Sequence, residues 1–153
     1  NITLEPVDVD LADLIKQVLL EMDDKIKESK IDFRFNPPAQ KPVLKLDSEK
    51  TYRIFENLII NIIKYGLPGT RAYIDIIQDR NTVRIILKNV SASELDFDTD
   101  EISERFVRGD KSRNTEGSGL GLAIVKSFVK LQGGVFRIET DGDLFKAIIE
   151  WKI

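Results

Sequence analysis

The chain has 153 residues, a formal net charge of −3 and 42% hydrophobic residues. Its length suits one domain with a sizeable core, and its slightly acidic balance argues against nucleic-acid binding through a basic face. Cysteine and histidine are both absent, which excludes disulfides, thiolate or imidazole metal ligands and a phosphate-accepting imidazole within these residues. No apolar run approaches the ~18 residues that span a bilayer, and no signal peptide is visible.

Hydrophobic periodicity divides the chain into helices and pairs of strands. In chain order the predicted elements are a helix at about 11–29, strands at 31–35 and 43–46, a helix from 48 to about 65, strands near 71–78 and 82–88, a loop at 91–116, a helix at about 120–132, and a closing hairpin at 135–139 and 144–153. Asp47 or Ser48 is expected to cap the second helix. This order predicts an α+β two-layer sandwich, with one mixed sheet of about five strands and three main helices on one face.

The stretch 91–116 lacks a sustained period and is rich in Ser, Asp, Glu and Arg. An irregular stretch of this length in a compact domain is usually a functional loop or disordered. Just before a glycine cluster, this stretch carries four basic residues, which are Arg105, Arg108, Lys111 and Arg113. Phe106 can dock the loop on the body of the domain, whereas for any single arginine an exposed charged loop is the alternative.

Glycines alternate in Gly117-Ser-Gly-Leu-Gly-Leu122, at the start of the third predicted helix. Glycine lets a ligand approach closely, and a helix N-terminus offers unpaired N–H groups to an anion. The pattern predicts a phosphate-binding turn, with a flexible turn before a helix as the alternative. It matches neither a Walker loop, since no Gly-Lys-Ser/Thr follows, nor a Rossmann turn, since no long apolar strand precedes it.

The second predicted helix carries Asn57, Asn61 and Lys64 at i, i+4 and i+7, on one narrow stripe. A solvated face is the alternative, but such faces favour Glu, Lys, Gln and Arg, and Asn is a poor helix former. A carboxamide oxygen suits Mg²⁺, Lys64 can meet a phosphate, and Tyr65 can stack on a base or pack in the core. With the glycine turn and the basic loop, these residues predict a nucleoside triphosphate site.

At these residues the chain resembles the catalytic ATP-binding domain of bacterial sensor histidine kinases, in the GHKL superfamily. The stretch Asn57–Tyr65 resembles the family's N box, Glu104–Arg108 its F box and Gly117–Val125 its second glycine box, in the same order. The stretch Leu4–Val9 resembles the linker that leaves the family's dimerisation helices. Since the chain begins at Asn1 rather than Met, an excised piece of a longer protein is expected.

The resemblance implies a Bergerat-fold catalytic domain over 11–153, with 1–10 as the end of the linker and 91–116 as an ATP lid. It implies that ATP and Mg²⁺ bind, with Asn61 as the metal ligand and Asn57 supporting it.

The resemblance implies further contacts from residues before, within and after the lid. Lys64 would contact phosphate, Tyr65 would lie against the adenine, and Arg108 or Arg113 would approach the γ-phosphate. The backbone of the glycine box would wrap the phosphates, and the further expected nucleotide contacts are Phe106, Gly117, Ser118, Gly119, Leu120, Gly121 and Leu122.

One motif departs from the family pattern. The first glycine box, Asp-x-Gly-x-Gly in the family, corresponds here to Asn89-Val-Ser-Ala-Ser93. The family's Asp accepts a hydrogen bond from the adenine amino group, and Asn89 can accept as a neutral group. Ser91 and Ser93 replace the glycines that shape the pocket floor. This departure leaves open a degenerate nucleotide-binding pseudokinase or sensor module without transfer.

A second position separates kinases from hydrolases of the superfamily, which carry a water-activating Glu one turn before the metal-binding Asn. Asn57 stands there and cannot act as a general base, and Glu56 lies about 100° around the helix. The resemblance therefore implies transfer to a histidine on a separate dimerisation domain, with a response regulator downstream. It implies a homodimeric, membrane-anchored bacterial sensor of which this soluble, monomeric piece is cytoplasmic. A serine kinase of the anti-sigma type is a further alternative, disfavoured by the linker resemblance.

Overall fold

The computed structural model describes residues 3–93 and 119–153. In chain order the elements are β1 (Pro6–Asp10), α1 (Leu11–Glu21), α2 (Asp23–Ser29), β2 (Asp32–Asn36), β3 (Val43–Asp47), α3 (Ser48–Tyr65), β4 (Arg71–Gln78), β5 (Thr82–Val90), α4 (Gly119–Leu131), β6 (Val135–Asp141) and β7 (Leu144–Lys152). Within these ranges we find no helix with the length and apolar character needed to cross a bilayer.

The main sheet has five strands in the order β2-β4-β5-β7-β6. The β2–β4 pair is parallel, and the other three pairs are antiparallel. Alternate residues of the central strands are buried, for example Ile74 on β4 and Ile85 on β5, and they form one core with Leu11 of α1, Phe55 of α3 and Leu122 of α4. The predicted α+β sandwich with a mixed five-stranded sheet is confirmed.

A second, two-stranded sheet joins β1 to β3 in antiparallel register. The sequence pattern does not predict β1, because Val9 is its only buried residue and charged residues flank it. The ion pair between Lys45 Nζ and Asp8 Oδ1, at 3.0 Å, spans the pair. The strand predicted at 43–46 therefore lies outside the main sheet, and the expected linker residues include a strand packed on the domain.

The predicted single helix over 11–29 is wrong, because the backbone leaves the helical region at Met22, with φ −102° and ψ 13°. Met22 is buried and Ile26 packs against the same core. The apolar spacing therefore continues across the break, so periodicity alone cannot reveal it. At the second predicted helix the alternative between two caps is decided: Asp47 accepts the N–H of Lys50 at 2.9 Å and begins α3.

Candidate functional site

Helix α3 carries the predicted polar stripe beside its core-facing side. Ile54, Phe55 and Leu58 are buried in the core. On the neighbouring stripe Asn61 is 8% exposed, Asn57 is half-buried, and Lys64 is exposed. The stripe therefore places two carboxamides at the edge of the core and an ammonium group in solvent.

The first turn of α4 contacts this stripe at Gly121. A Cβ added to Gly121 would lie only 3.1 Å from Asn57 Oδ1, so the absence of a side chain allows the two helices to approach here. Asn57 Nδ2 donates to the carbonyl of Arg53 at 2.7 Å. The structure thus brings together the asparagine stripe and the end of the glycine cluster, which are far apart in sequence.

Asn61 is the buried polar group of this junction. Its carboxamide makes no hydrogen bond with any residue in 3–93 or 119–153. Asn61 is not among the side chains of these ranges that hold a fully buried, unpartnered N or O atom, which are Gln78, Arg84 and Trp151. A carboxamide without a protein partner at the edge of the core is open to a ligand.

The donor set suits Mg²⁺. Carboxamide oxygen is a hard neutral ligand, and Mg²⁺ usually keeps several waters and binds phosphate oxygens rather than an all-protein cage. Across the described part of the chain, no three acidic side chains are grouped to hold a metal ion. The carboxamide oxygens of Asn57 and Asn61 therefore fit Mg²⁺ as neutral ligands.

Asn89 occupies the helix-facing side of β5 near the end of α3. It continues the buried positions Ile85 and Leu87 and is 5% exposed. Its Nδ2 donates to the carbonyl of Val90 at 3.3 Å. A carboxamide thus stands where strand alternation would place another apolar residue.

Gly66 is a site residue that the sequence analysis missed. A Cβ there would lie 2.6 Å from the carbonyl oxygen of Ile62, 2.7 Å from Ile31 Cδ1 and 3.4 Å from Asn89 Nδ2. The sequence shows Gly66 only as a helix stop, because the crowding comes from Ile31 and Asn89, which lie in other elements.

The end of α3 is tied to the end of β5. The carbonyl of Tyr65 accepts the N–H of Ala92 at 2.8 Å, and Leu67 N–H donates to the carbonyl of Val90 at 2.9 Å. These bonds place Tyr65, which is half-buried, and Asn89, which is buried, on adjoining segments. Both predicted base contacts therefore lie at the same end of the sandwich.

The glycine cluster and the lid are described only in part. Gly119 begins α4, and Leu122 is 1% exposed within the core. Only the backbone of Leu122 is therefore available to a ligand. The other predicted residues lie outside the described residues, or their side chains do: Phe106, Arg108, Arg113, Gly117, Ser118 and Leu120.

Comparisons with known proteins agree on one family. The profile described as "Histidine kinase-, DNA gyrase B-, and HSP90-like ATPase" matches residues 46–151. The probable sensor protein PcoS of Escherichia coli is 36% identical over 98 residues, which cover 63% of this chain and 21% of PcoS. Sensor protein VanSC of Enterococcus gallinarum is 31% identical over 143 residues, covering 92% of this chain and 39% of VanSC. The chain thus spans less than half the length of these relatives.

Among solved structures, the catalytic domain of histidine kinase ThkA superposes with a TM-score of 0.81 at 21% identity, covering 97% of this chain and 96% of that one. This likeness supports the fold. The profile match covers more than half of the chain and includes α3 and α4. The chain belongs to the histidine kinase-, DNA gyrase B- and HSP90-like ATPase family.

Proposed function

We propose that the chain is the ATP-binding catalytic part of a two-component sensor histidine kinase. It binds Mg·ATP at the junction of α3 and α4, and the γ-phosphoryl group passes to a histidine on a separate dimerisation domain. The observation that carries the proposal is the contact between Asn57 and Gly121, beside the Asn61 carboxamide, which has no hydrogen bond to the described residues. The family description, which names histidine kinases, supports a kinase role, and the two relatives are sensor proteins.

Asn61 is the proposed Mg²⁺ ligand. When bound, Mg²⁺ neutralises phosphate charge and holds phosphate oxygens in place. Asn57 supports the site from one turn away, and its bond to the Arg53 carbonyl fixes the amide group. Lys64, exposed in the last turn of α3, supplies a point charge for phosphate.

The N-terminus of α4 is the proposed phosphate site. Its unpaired N–H groups and partial positive charge favour an anion. The glycine box supplies this backbone, with Gly121 against Asn57 and buried Leu122 holding the helix to the core.

The remaining proposed contacts are those to the adenine base and those made by residues of the lid. Asn89 accepts a hydrogen bond from the adenine amino group, and Tyr65 lies against the ring. In the lid, Phe106 contacts the nucleotide, and Arg108 or Arg113 stabilises charge on the γ-phosphoryl group.

Transfer fits the chain better than hydrolysis. Asn57 is no general base, and Glu56 pairs with Arg53 at 3.8 Å on another side of α3. In the transfer, a nitrogen lone pair of the acceptor histidine attacks the γ-phosphorus. A P–N bond forms, the bond to the β-phosphate oxygen breaks, and ADP leaves. The acceptor lies outside this chain, which has no histidine.

One observation favours a second candidate, binding without transfer: Asn89-Val-Ser-Ala-Ser93 lacks the acidic residue and the glycines of the family's first glycine box. The family description, which names histidine kinases, favours the transferring role. We further propose that the whole protein is a homodimeric, membrane-anchored sensor that acts on a response regulator.

Radiolabelled ATP, incubated with the full-length protein, tests the proposal. We expect acid-labile phosphohistidine, and a variant with both Arg108→Ala and Arg113→Ala should lose transfer more than nucleotide binding. Mg·ATP binding without phosphohistidine would support the second candidate instead. Absence of binding at millimolar Mg·ATP would contradict both.

A further inference from the structure

A second polar cluster lies where α3 begins. We call it the Asp47 hub, and its members are Thr3, Glu5, Asp47, Lys50, Thr51 and Gln132. The Asp47 side chain is buried at 6% exposure. Its two carboxylate oxygens have different partners: Oδ1 accepts the N–H of Lys50 at 2.9 Å, and Oδ2 accepts the N–H of Glu5 at 3.0 Å. One side chain therefore caps α3 and also holds the segment that leads into β1.

The same hub holds the end of α4. The N–H of Asp47 donates to Gln132 Oε1 at 2.7 Å, and Gln132 directly follows α4. Gln132 Nε2 donates to Thr51 Oγ1 at 3.3 Å, and the Thr51 hydroxyl donates to the Asp47 carbonyl at 2.7 Å. Three segments of the chain are thus joined through Asp47.

The charge of Asp47 matters to this arrangement. The backbone N–H groups of Lys50 and Glu5 lower the pKa of Asp47. Lys50 Nζ lies 3.5 Å from Asp47 Oδ2 and donates to the Thr3 carbonyl at 3.3 Å. Ionisation of Asp47 therefore strengthens the bond from the Glu5 N–H, and Lys50 holds Thr3 beside it.

The hub and the ligand site lie on one antiparallel helix pair. Thr51 meets Gln132 at one end, and Asn57 meets Gly121 further along. At 1.5 Å per residue, Asn57 is about 9 Å and Asn61 about 15 Å from Thr51 along α3. Gln132 directly follows α4, and Gly121 lies in its first turn, where a Cβ would be 3.1 Å from Asn57 Oδ1, so α4 joins the hub to the ligand site.

We propose that Asp47 is a positioning residue that couples residues 3–5 to the ligand site on α3 and α4. Holding these residues on Asp47 keeps the helix pair in the arrangement that binds Mg·ATP, and Mg·ATP in turn strengthens their hold, because coupling between two sites is reciprocal. The identity of the ligand rests on the proposed function, whereas the coupling along the helix pair rests on the hub.

Asp47→Asn is the main test, because it leaves one carboxamide oxygen to cap α3 and places an NH₂ group against the Glu5 N–H and the Lys50 ammonium. Asp10→Asn is the matched control. Asp10 caps α1 through one oxygen, Oδ1, which accepts from Ala12 at 3.0 Å and Asp13 at 3.2 Å. An asparagine there keeps both bonds.

Amide hydrogen exchange without nucleotide is the first readout. We expect Asp47→Asn to speed exchange at Glu5 and along α4 beyond its first turn, whereas Asp10→Asn leaves both unchanged. Calorimetry is the second: Asp47→Asn should raise the Mg·ATP dissociation constant about fivefold or more. In the wild type, Mg·ATP should slow exchange at Glu5 by a similar factor.

Gln132→Met tests the bonds between the hub and the end of α4 separately from the bond between Asp47 and Glu5. It should weaken Mg·ATP binding in the same way while Glu5 stays protected, since only the bonds to Gln132 are lost. The proposal would be overturned if Asp47→Asn exchanged faster at Glu5 while its α4 exchange and its Mg·ATP affinity stayed unchanged. It would also be overturned if Asp10→Asn changed exchange and affinity as much as Asp47→Asn does. If the wild type bound no Mg·ATP, the proposed function would fail, and α4 exchange in Asp47→Asn would still decide the coupling.

Discussion

The two ends of the α3–α4 pair differ in whether their polar side chains are hydrogen-bonded within the protein. At the Asp47 hub, the carboxylate, the Thr51 hydroxyl and the Gln132 carboxamide are all hydrogen-bonded within the protein. At the other end, Asn61 is 8% exposed and its carboxamide has no hydrogen bond to the described residues. The hub therefore supports the fold, whereas the Asn61 end is prepared for a ligand.

The largest expected effect is that of a substitution at Asn61, at the ligand end of the α3–α4 pair. Asn61→Ala removes the proposed metal ligand, so we expect Mg·ATP affinity to fall about 100-fold or more. The free energy of unfolding should stay within about 1 kcal/mol of the wild type, because no protein hydrogen bond is lost. Calorimetry and urea unfolding measure the two quantities.

Asn36→Ala is the control for Asn61→Ala. Asn36 is exposed and donates to Asp75 Oδ1 at 2.7 Å on β4. It should leave the affinity unchanged. A large loss of stability in Asn61→Ala with unchanged affinity would make Asn61 a structural residue and remove the contrast between the two ends.

Gly66→Ala tests the junction of α3 and β5. The added Cβ would meet the Ile62 carbonyl oxygen at 2.6 Å and Ile31 Cδ1 at 2.7 Å. Overpacking of this kind costs typically 1–3 kcal/mol, and we expect about 3 because one neighbour is backbone. Denaturant unfolding measures the loss, and a variant as stable as the wild type would show that the junction is loosely packed.

Gly121→Ala should separate affinity from stability. Its Cβ would press on Asn57 Oδ1 at 3.1 Å, which should raise the Mg·ATP dissociation constant about tenfold, or ~1.4 kcal/mol. Alanine is favoured over glycine in helices by up to about 1 kcal/mol, so stability should not fall. Ser127→Ala, at an exposed position of α4, should change neither quantity. Unchanged affinity in Gly121→Ala would place the ligand away from this contact.

The smallest expected effect concerns the pH dependence of the hub. The Lys50 and Glu5 N–H groups lower the pKa of Asp47 in the folded state. The stabilisation that ionised Asp47 gives to the folded state is therefore present above its unfolded pKa of about 3.9. It is lost as the pH falls through the lower pKa of the folded state. Between pH 6 and 3, in rough terms, the free energy of unfolding should fall more in the wild type than in Asp47→Asn. Parallel pH profiles would show that Asp47 contributes no such term.

Local sequence patterns predict the parts of this fold that depend on near neighbours. The α3 boundaries follow from its apolar spacing and the Asp47 cap, and the position of Asn57, Asn61 and Lys64 on one helix follows from their spacing. The strand β1 and the break at Met22 could not be predicted in this way. The first depends on pairing with β3, and the second leaves the apolar spacing intact.

The same distinction applies to the site. Spacing predicts the asparagine stripe, but the contact of Asn57 with Gly121, the crowding at Gly66 and the bond from Asp47 to Gln132 join residues far apart in sequence. Only the family resemblance indicates the first of these contacts. The roles of the lid residues, Arg108 and Arg113 among them, stay predictions.

The most direct test of the central claim replaces Mg²⁺ by paramagnetic Mn²⁺ in an NMR titration with ATP. The side-chain NH₂ resonances of Asn61, identified by their absence in Asn61→Ala, should broaden first as Mn·ATP is added. Those of Asn36, exposed on edge strand β2, should stay sharp. Sharp Asn61 resonances in a chain that binds Mn·ATP would contradict the claim that Asn61 holds the metal of the nucleotide.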